Sequence, residues 1–206
     1  MNHMCRDHVL FRGLLQAWQN IGRAHHAVEE EGRTAACGYC FGGMAMFEMA
    51  RGGMDVDLVV SLHGLLSSRP LRHPVHESHV EREKYDDSFR RAENTYGNKR
   101  MRIMVQNGDS DPFGRDPPLS VGNRPEGSPH PDFADWKKEM NVNGITWEWT
   151  DYGGATHGFA LPADICNDYH EVADRRSTLA ILAALNEIWA DVKLSRLPCN
   201  AAGTLL

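Results

Sequence analysis

The chain has 206 residues, a formal charge of −6, 41% hydrophobic and 24% charged residues, enough for one domain with a sizeable core and not the composition of a disordered chain. Lys and Arg are interspersed with Asp and Glu and form no stripe, so nucleic acid is not an expected partner. No apolar run is long enough to cross a bilayer and Met1 to Arg12 lacks the apolar core of a signal peptide, so the expectation is a cytoplasmic protein without a membrane partner.

In chain order, Val9, Leu10, Leu14, Leu15, Trp18 and Ile21 recur at helical spacing and predict an amphipathic helix from about His8 to Ala27. Thr34 to Tyr39 reads as a short strand that breaks at Gly42-Gly43 into a second helix carrying Met44, Met46, Phe47 and Met49. Further strands are expected at Leu58 to Leu62, Arg102 to Gln106 and Ile145 to Thr150, with helix-length segments between them. That alternation implies α/β architecture with a parallel sheet. The mixed-charge run Glu77 to Arg91 predicts a solvated helix, and a last helix is expected within Ala163 to Leu194, with Ala180, Leu182, Leu185, Ile188 and Trp189 as its apolar face. Leu66 to His79 and Pro112 to Pro131 lack periodicity and read as long loops, and Pro198 to Leu206 as a frayed tail of a single 1–206 domain.

The chemistry concentrates at Gly38-Tyr39-Cys40-Phe41-Gly42-Gly43. Between a strand and a helix, this segment predicts a sharp turn that lifts a nucleophile to the sheet edge, with glycines where side chains would collide. The Cys40 sulfur then lies at a helix N-terminus, which favours a thiolate, and the Phe41 backbone N–H is placed to receive an oxyanion. An acid and a base are expected downstream in that order. Asp111 follows the strand Ile103-Met104-Val105, with Asp109 as a neighbouring competitor, and His157 lies in the glycine-rich loop after the strand ending at Thr150. His63, just past Leu62, falls at the same sheet edge and is a pocket candidate.

Three segments, G-Y-C-F-G-G at Gly38 to Gly43, G-D-S-D-P at Gly108 to Pro112 and A-T-H-G-F at Ala155 to Phe159, resemble the dienelactone hydrolase family in content and order. Tyr169, Ala173, Arg176 and Ser177 extend the resemblance over most of Gly32 to Trp189. It implies an α/β-hydrolase-type three-layer sandwich with a mostly parallel sheet. It also implies an acyl-cysteine route to ester or lactone hydrolysis by Cys40, His157 and Asp111, the last selected over Asp109 by the family's Gly-x-x-Asp pattern. No metal and no cofactor is implied, and Tyr39, His63 and Phe159 are expected in the substrate pocket. Where the bacterial dienelactone enzymes place a substrate-binding arginine, four residues beyond the histidine, this chain has Leu161. The family carries several strands ahead of the nucleophile strand, so the resemblance implies an N-terminally truncated sheet and, through its exposed edge, self-association.

Two other readings stay open at the level of sequence. Cys37-Gly38-Tyr39-Cys40 also fits the C-x-x-C of a thiol-disulfide oxidoreductase, although Cys37 falls inside the expected strand. A truncated homologue, weakly active or inactive, would instead serve as a binding module. Cys5, Cys166, Cys199 and the histidines His25, His26, His73, His76 and His79 read as ordinary thiols and loop residues.

Overall fold

The computed structural model of the protein describes residues 7–25, 33–66, 93–98, 100–111 and 131–189. The expected helix over 77–91, nearly all of both long loops and the 198–206 tail lie outside the described residues.

Four strands, β1 (Ala35–Tyr39), β2 (Leu58–Leu62), β3 (Arg102–Gly108) and β4 (Thr146–Tyr152), pair in parallel in the order β1-β2-β3-β4. The helices are α1 (His8–Arg23), α2 (Phe41–Arg51), α3 (Pro131–Val142) and α4 (Glu171–Ile188). On one face of the sheet, Ala36, Val59, Ile103 and Val105 pack against Phe47 and Ala50 of α2 and Trp136 and Met140 of α3. On the other, Leu58, Val60, Leu62 and Met104 pack against Ala173 and Ala184 of α4. Helix, sheet and helix thus make the three layers that the family resemblance implies.

The strand sequences follow from this layering. All five residues of β2 are buried, because a parallel strand covered on both faces needs apolar residues on both. In β1, Ala36 and Gly38 are buried while Ala35, Cys37 and Tyr39 are exposed, as suits the edge of the described sheet. Asn107 and Gly108 pair with Asp151 and Tyr152, so β3 and β4 each run two residues past their expected ends. Trp147 and Trp149 of β4 pack against α3, with Trp136 at 5.3 Å from Trp147 and Phe133 at 4.5 Å from Trp149 between ring centroids. The last helix begins at Glu171, where the His170 side chain accepts from the Ala173 N–H.

Helix α1 departs from expectation in which face it buries. Phe11, Arg12, Gln19 and His8 point inward, while Val9, Leu10, Leu14, Trp18 and Ile21 are exposed. Paired charges outweigh the apolar stripe here. Arg12 donates to Glu48 Oε2 at 2.8 Å, to the Glu93 carbonyl at 2.7 Å and to Asn94 Oδ1 at 2.7 Å. Glu48, fully buried in α2, also takes Arg51 Nη1 at 3.0 Å, and Arg51 Nη2 reaches Glu139 of α3 at 2.9 Å. Burial opposes the Glu48 charge, yet Arg51 and Arg12 overcome it and hold the carboxyl below its ordinary range. Among the described residues, no helix is long and apolar enough to cross a membrane.

Candidate active site

Cys40 occupies the single residue between β1 and α2, with φ 52° and ψ −117°. A non-glycine residue in this region is strained and persists only where its surroundings impose the turn. Here the Cys40 N–H donates to the Leu62 carbonyl at 3.0 Å and the Met44 N–H to the Cys40 carbonyl at 3.3 Å, tying the turn to β2 and to the first turn of α2. A Cβ on Gly38 would come within 2.3 Å of the Gly42 backbone, and one on Gly43 within 2.4 Å of Ser61 Oγ and 2.8 Å of Gly64 Cα. A Cβ on Gly42 would meet nothing within 4 Å among the described residues. Of the two glycines that follow Phe41, it is therefore Gly43 that the packing requires, since α2 approaches β2 through that residue.

The acid and base segments are joined to each other by main chain. A Cβ on Gly108 would fall 2.3 Å from the Ala155 carbonyl, so only glycine lets the end of β3 touch the histidine loop. The Ser110 N–H donates to that carbonyl at 3.0 Å and the Asp109 N–H to the Tyr152 carbonyl at 3.1 Å. Asp109, the competing acid of the sequence, accepts from the Gly154 N–H at 2.7 Å and so braces the loop. Asp111 and His157 then meet, His157 Nδ1 lying 3.0 Å from Asp111 Oδ2. The other ring nitrogen, Nε2, lies 3.1 Å from Cys40 Sγ.

These contacts set the electrostatics. Burial works against charge on His157, but its hydrogen bonds to Asp111 and Cys40, and their negative charge, push it up to about 10. The hydrogen bond to His157 draws the Cys40 thiol below its ordinary range against the effect of burial, with the imidazolium charge and the Phe41 N–H acting in the same direction. Both shifts favour a thiolate beside an imidazolium. Such a pair can attack an electrophilic carbon and move a proton at Nε2.

The remaining sequence candidates divide. Tyr39 is 43% exposed and stands beside the nucleophile on β1, open to a ligand. His63 and Phe159 are 1% and 0% exposed, so they do not line an open pocket; His63 meets the His157 ring and Phe159 packs on His63 and Tyr152. Phe41 turns its ring onto Phe11 at 5.8 Å, leaving its N–H directed at the sulfur. Cys37 lies within β1 with its side chain exposed, and Cys37, Cys40 and Cys166 are all free thiols. Among the described residues there is no grouping of three or more His, Cys, Asp or Glu suited to a metal ion. The bracing role of Asp109 and the packing role of Gly43 escape the sequence reading, although the glycine doublet at 42–43 is a signal for the second.

A parallel sheet with a strained thiol turn at its edge, an acid after β3 and a histidine after β4 defines an α/β-hydrolase-fold protein. Within that class, it is the dienelactone hydrolase family whose sequence model matches the chain, over residues 14–115. Solved structures share the fold. The structure of m3DLH is 22% identical with a TM-score of 0.64 and covers 91% of this chain. A dienelactone hydrolase-like promiscuous phosphotriesterase from metagenomic libraries is 20% identical with a TM-score of 0.63, again over 91% of the chain. MGS-M1, an α/β hydrolase from a Medee basin deep-sea metagenome, is 15% identical with a TM-score of 0.51; 86% of this chain and 62% of that one align. The chain spans 65% of the length of each of the first two structures. No curated protein matched the sequence.

Proposed function

We propose that the protein hydrolyses carboxylic esters or lactones through an acyl-cysteine intermediate. The observation that carries this reading is the position of His157, within hydrogen-bonding distance of Cys40 Sγ and Asp111 Oδ2 at once. The family match supports the choice of acyl transfer over other thiolate chemistry. In the proposed route the Cys40 thiolate forms a C–S bond to the ester carbonyl carbon, and the C=O pair moves onto oxygen, where the Phe41 N–H receives it. Collapse breaks the C–O bond, and His157 passes its Nε2 proton to the departing alcohol. His157 then takes a proton from water, the resulting hydroxide attacks the thioester, and the acid leaves as the thiolate re-forms. Asp111 holds the imidazole so that Nε2 faces the sulfur.

Turnover of an activated phenyl ester tests this, with intact-mass analysis of the trapped protein. Parent and Cys37→Ala should both hydrolyse the ester and carry one acyl group on Cys40, and Cys40→Ala should do neither. Dependence on Cys37 would sink the proposal in favour of a dithiol redox pair.

A further inference from the structure

His63 combines two unfavourable features at one residue. It stands just beyond β2 with φ 38°, a left-handed conformation that a bulky side chain avoids, and it buries an imidazole of which neither nitrogen has a hydrogen-bond partner among the described residues. Its main chain is held by the ladder that holds the nucleophile. The His63 N–H donates to the Gln106 carbonyl at 2.8 Å, and the carbonyl of the preceding Leu62 accepts the Cys40 N–H at 3.0 Å. The ring is wedged between Phe159, at 5.5 Å and 73°, and Tyr39, at 5.9 Å. It meets the His157 ring edge-on, with centroids 4.9 Å apart and planes at 70°.

Two hydrogen bonds fix both nitrogens of His157 but not its plane. A ring held at Nδ1 and Nε2 still tilts about the line joining them, and tilting turns the Nε2–H bond away from sulfur. Only a rigid neighbour against the ring removes that freedom. On the hydrolase reading above, we propose that His63 is a positioning residue for the base, an aromatic wall that sets the plane in which His157 meets Asp111 and Cys40 together. The wall has to be uncharged, because it abuts a ring that carries a proton. Burial, followed by the nearby His157 charge, holds His63 down to about 4, although Asp111 pulls the other way. Among the described residues, Cys40 from the turn and Tyr39 from β1 are further ionisable groups beside the two rings.

The experiment compares His63→Phe, which keeps a flat ring and removes the nitrogens, with His63→Ala, which removes the wall. His63→Leu fills the volume without a flat ring and takes the place of Ala if the cavity prevents folding. Two quantities are read on folded samples, steady-state ester hydrolysis and the pH midpoint of Cys40 alkylation by iodoacetamide. Loss of the wall should lower kcat by about ten- to a hundredfold with KM little changed, and should raise the alkylation midpoint, while Phe restores both to near the parent. A folded Ala or Leu variant with the parent kcat and midpoint overturns the proposal. So does a folded Phe variant as impaired as those two, since that assigns the effect to the nitrogens. Absence of ester turnover in the parent would instead sink the function proposed above, and the alkylation midpoint would still decide on His63.

Discussion

The proton shared by Cys40 and His157 couples two opposite pH dependences. Folded His157 titrates at about 10 against an ordinary 6.5, so its contribution to stability is complete below 6.5 and is lost as pH rises through 10. Cys40 is depressed from 9.0, so its contribution is present above 9.0 and is lost as pH falls through the folded value. As a thiolate-imidazolium pair the folded state holds one proton up to about 10, whereas the unfolded groups hold two below 6.5, one from 6.5 to 9.0 and none above. The pair's contribution should therefore rise with pH below 6.5, stay level to 9.0 and decline beyond. Urea unfolding at stepped pH, parent minus the Cys40→Ala, His157→Phe double variant, reads that curve, and a difference that is level throughout would mean that no ion pair forms. At this scale the sequence is informative where chemistry demands a residue type in a turn, as at Cys40, Asp111 and His157. It says nothing of which way a ring faces, so His63 and Phe159 read as pocket residues although both are buried and His63 meets the base.

The turn between β1 and α2 makes a prediction about glycines that can be separated one by one. Gly38→Ala and Gly43→Ala each drive a methyl group into backbone or into Ser61 at under 3 Å, and overpacking of this kind costs about 1–3 kcal/mol. Gly42→Ala meets open space and should leave the unfolding midpoint unchanged or higher, since alanine suits a helix better than glycine. Thermal melts of the three variants check this; equal loss at all three would contradict the close approach of α2 to β2 at Gly43. Elements with both faces covered, such as β2, are plain in the sequence because a short run of β-branched and apolar residues, broken in β2 only by Ser61, suits a strand buried on both sides. Helix α1 is not. Its buried face holds Arg12 and Gln19, which are acceptable inside only because Glu48, Asn94 and the Asp55 carbonyl meet them from distant parts of the chain, and local periodicity carries no trace of those partners.

At the scale of the molecule, β1 pairs on one side only among the described residues, and the exposed stripe of α1 includes Trp18, 73% accessible. An open strand edge near an apolar stripe favours association with a second copy of the chain. Sedimentation velocity over a range of concentrations should show the average mass rising, and Leu14→Glu with Trp18→Glu should suppress the rise; a parent that stays monomeric up to its solubility limit removes the prediction. The strand order also distributes the three site residues unequally. Asp111 and His157 follow the inner strand β3 and the outer strand β4, whose loops are bonded to each other through Ala155 and Tyr152; β1 and β4 each have one described neighbour, but β1 is paired over five positions and β4 over seven. Opening of β1 alone would carry the sulfur away and leave the carboxylate and imidazole together. Amide exchange should then be faster in Ala35 to Tyr39 than in Ile103 to Gln106, and on warming the pH midpoint of Cys40 alkylation should rise toward that of an ordinary thiol while the tryptophans packed on α3 still report an intact core. The site would come apart in a fixed sequence, nucleophile first, which makes β1 the fuse of the molecule.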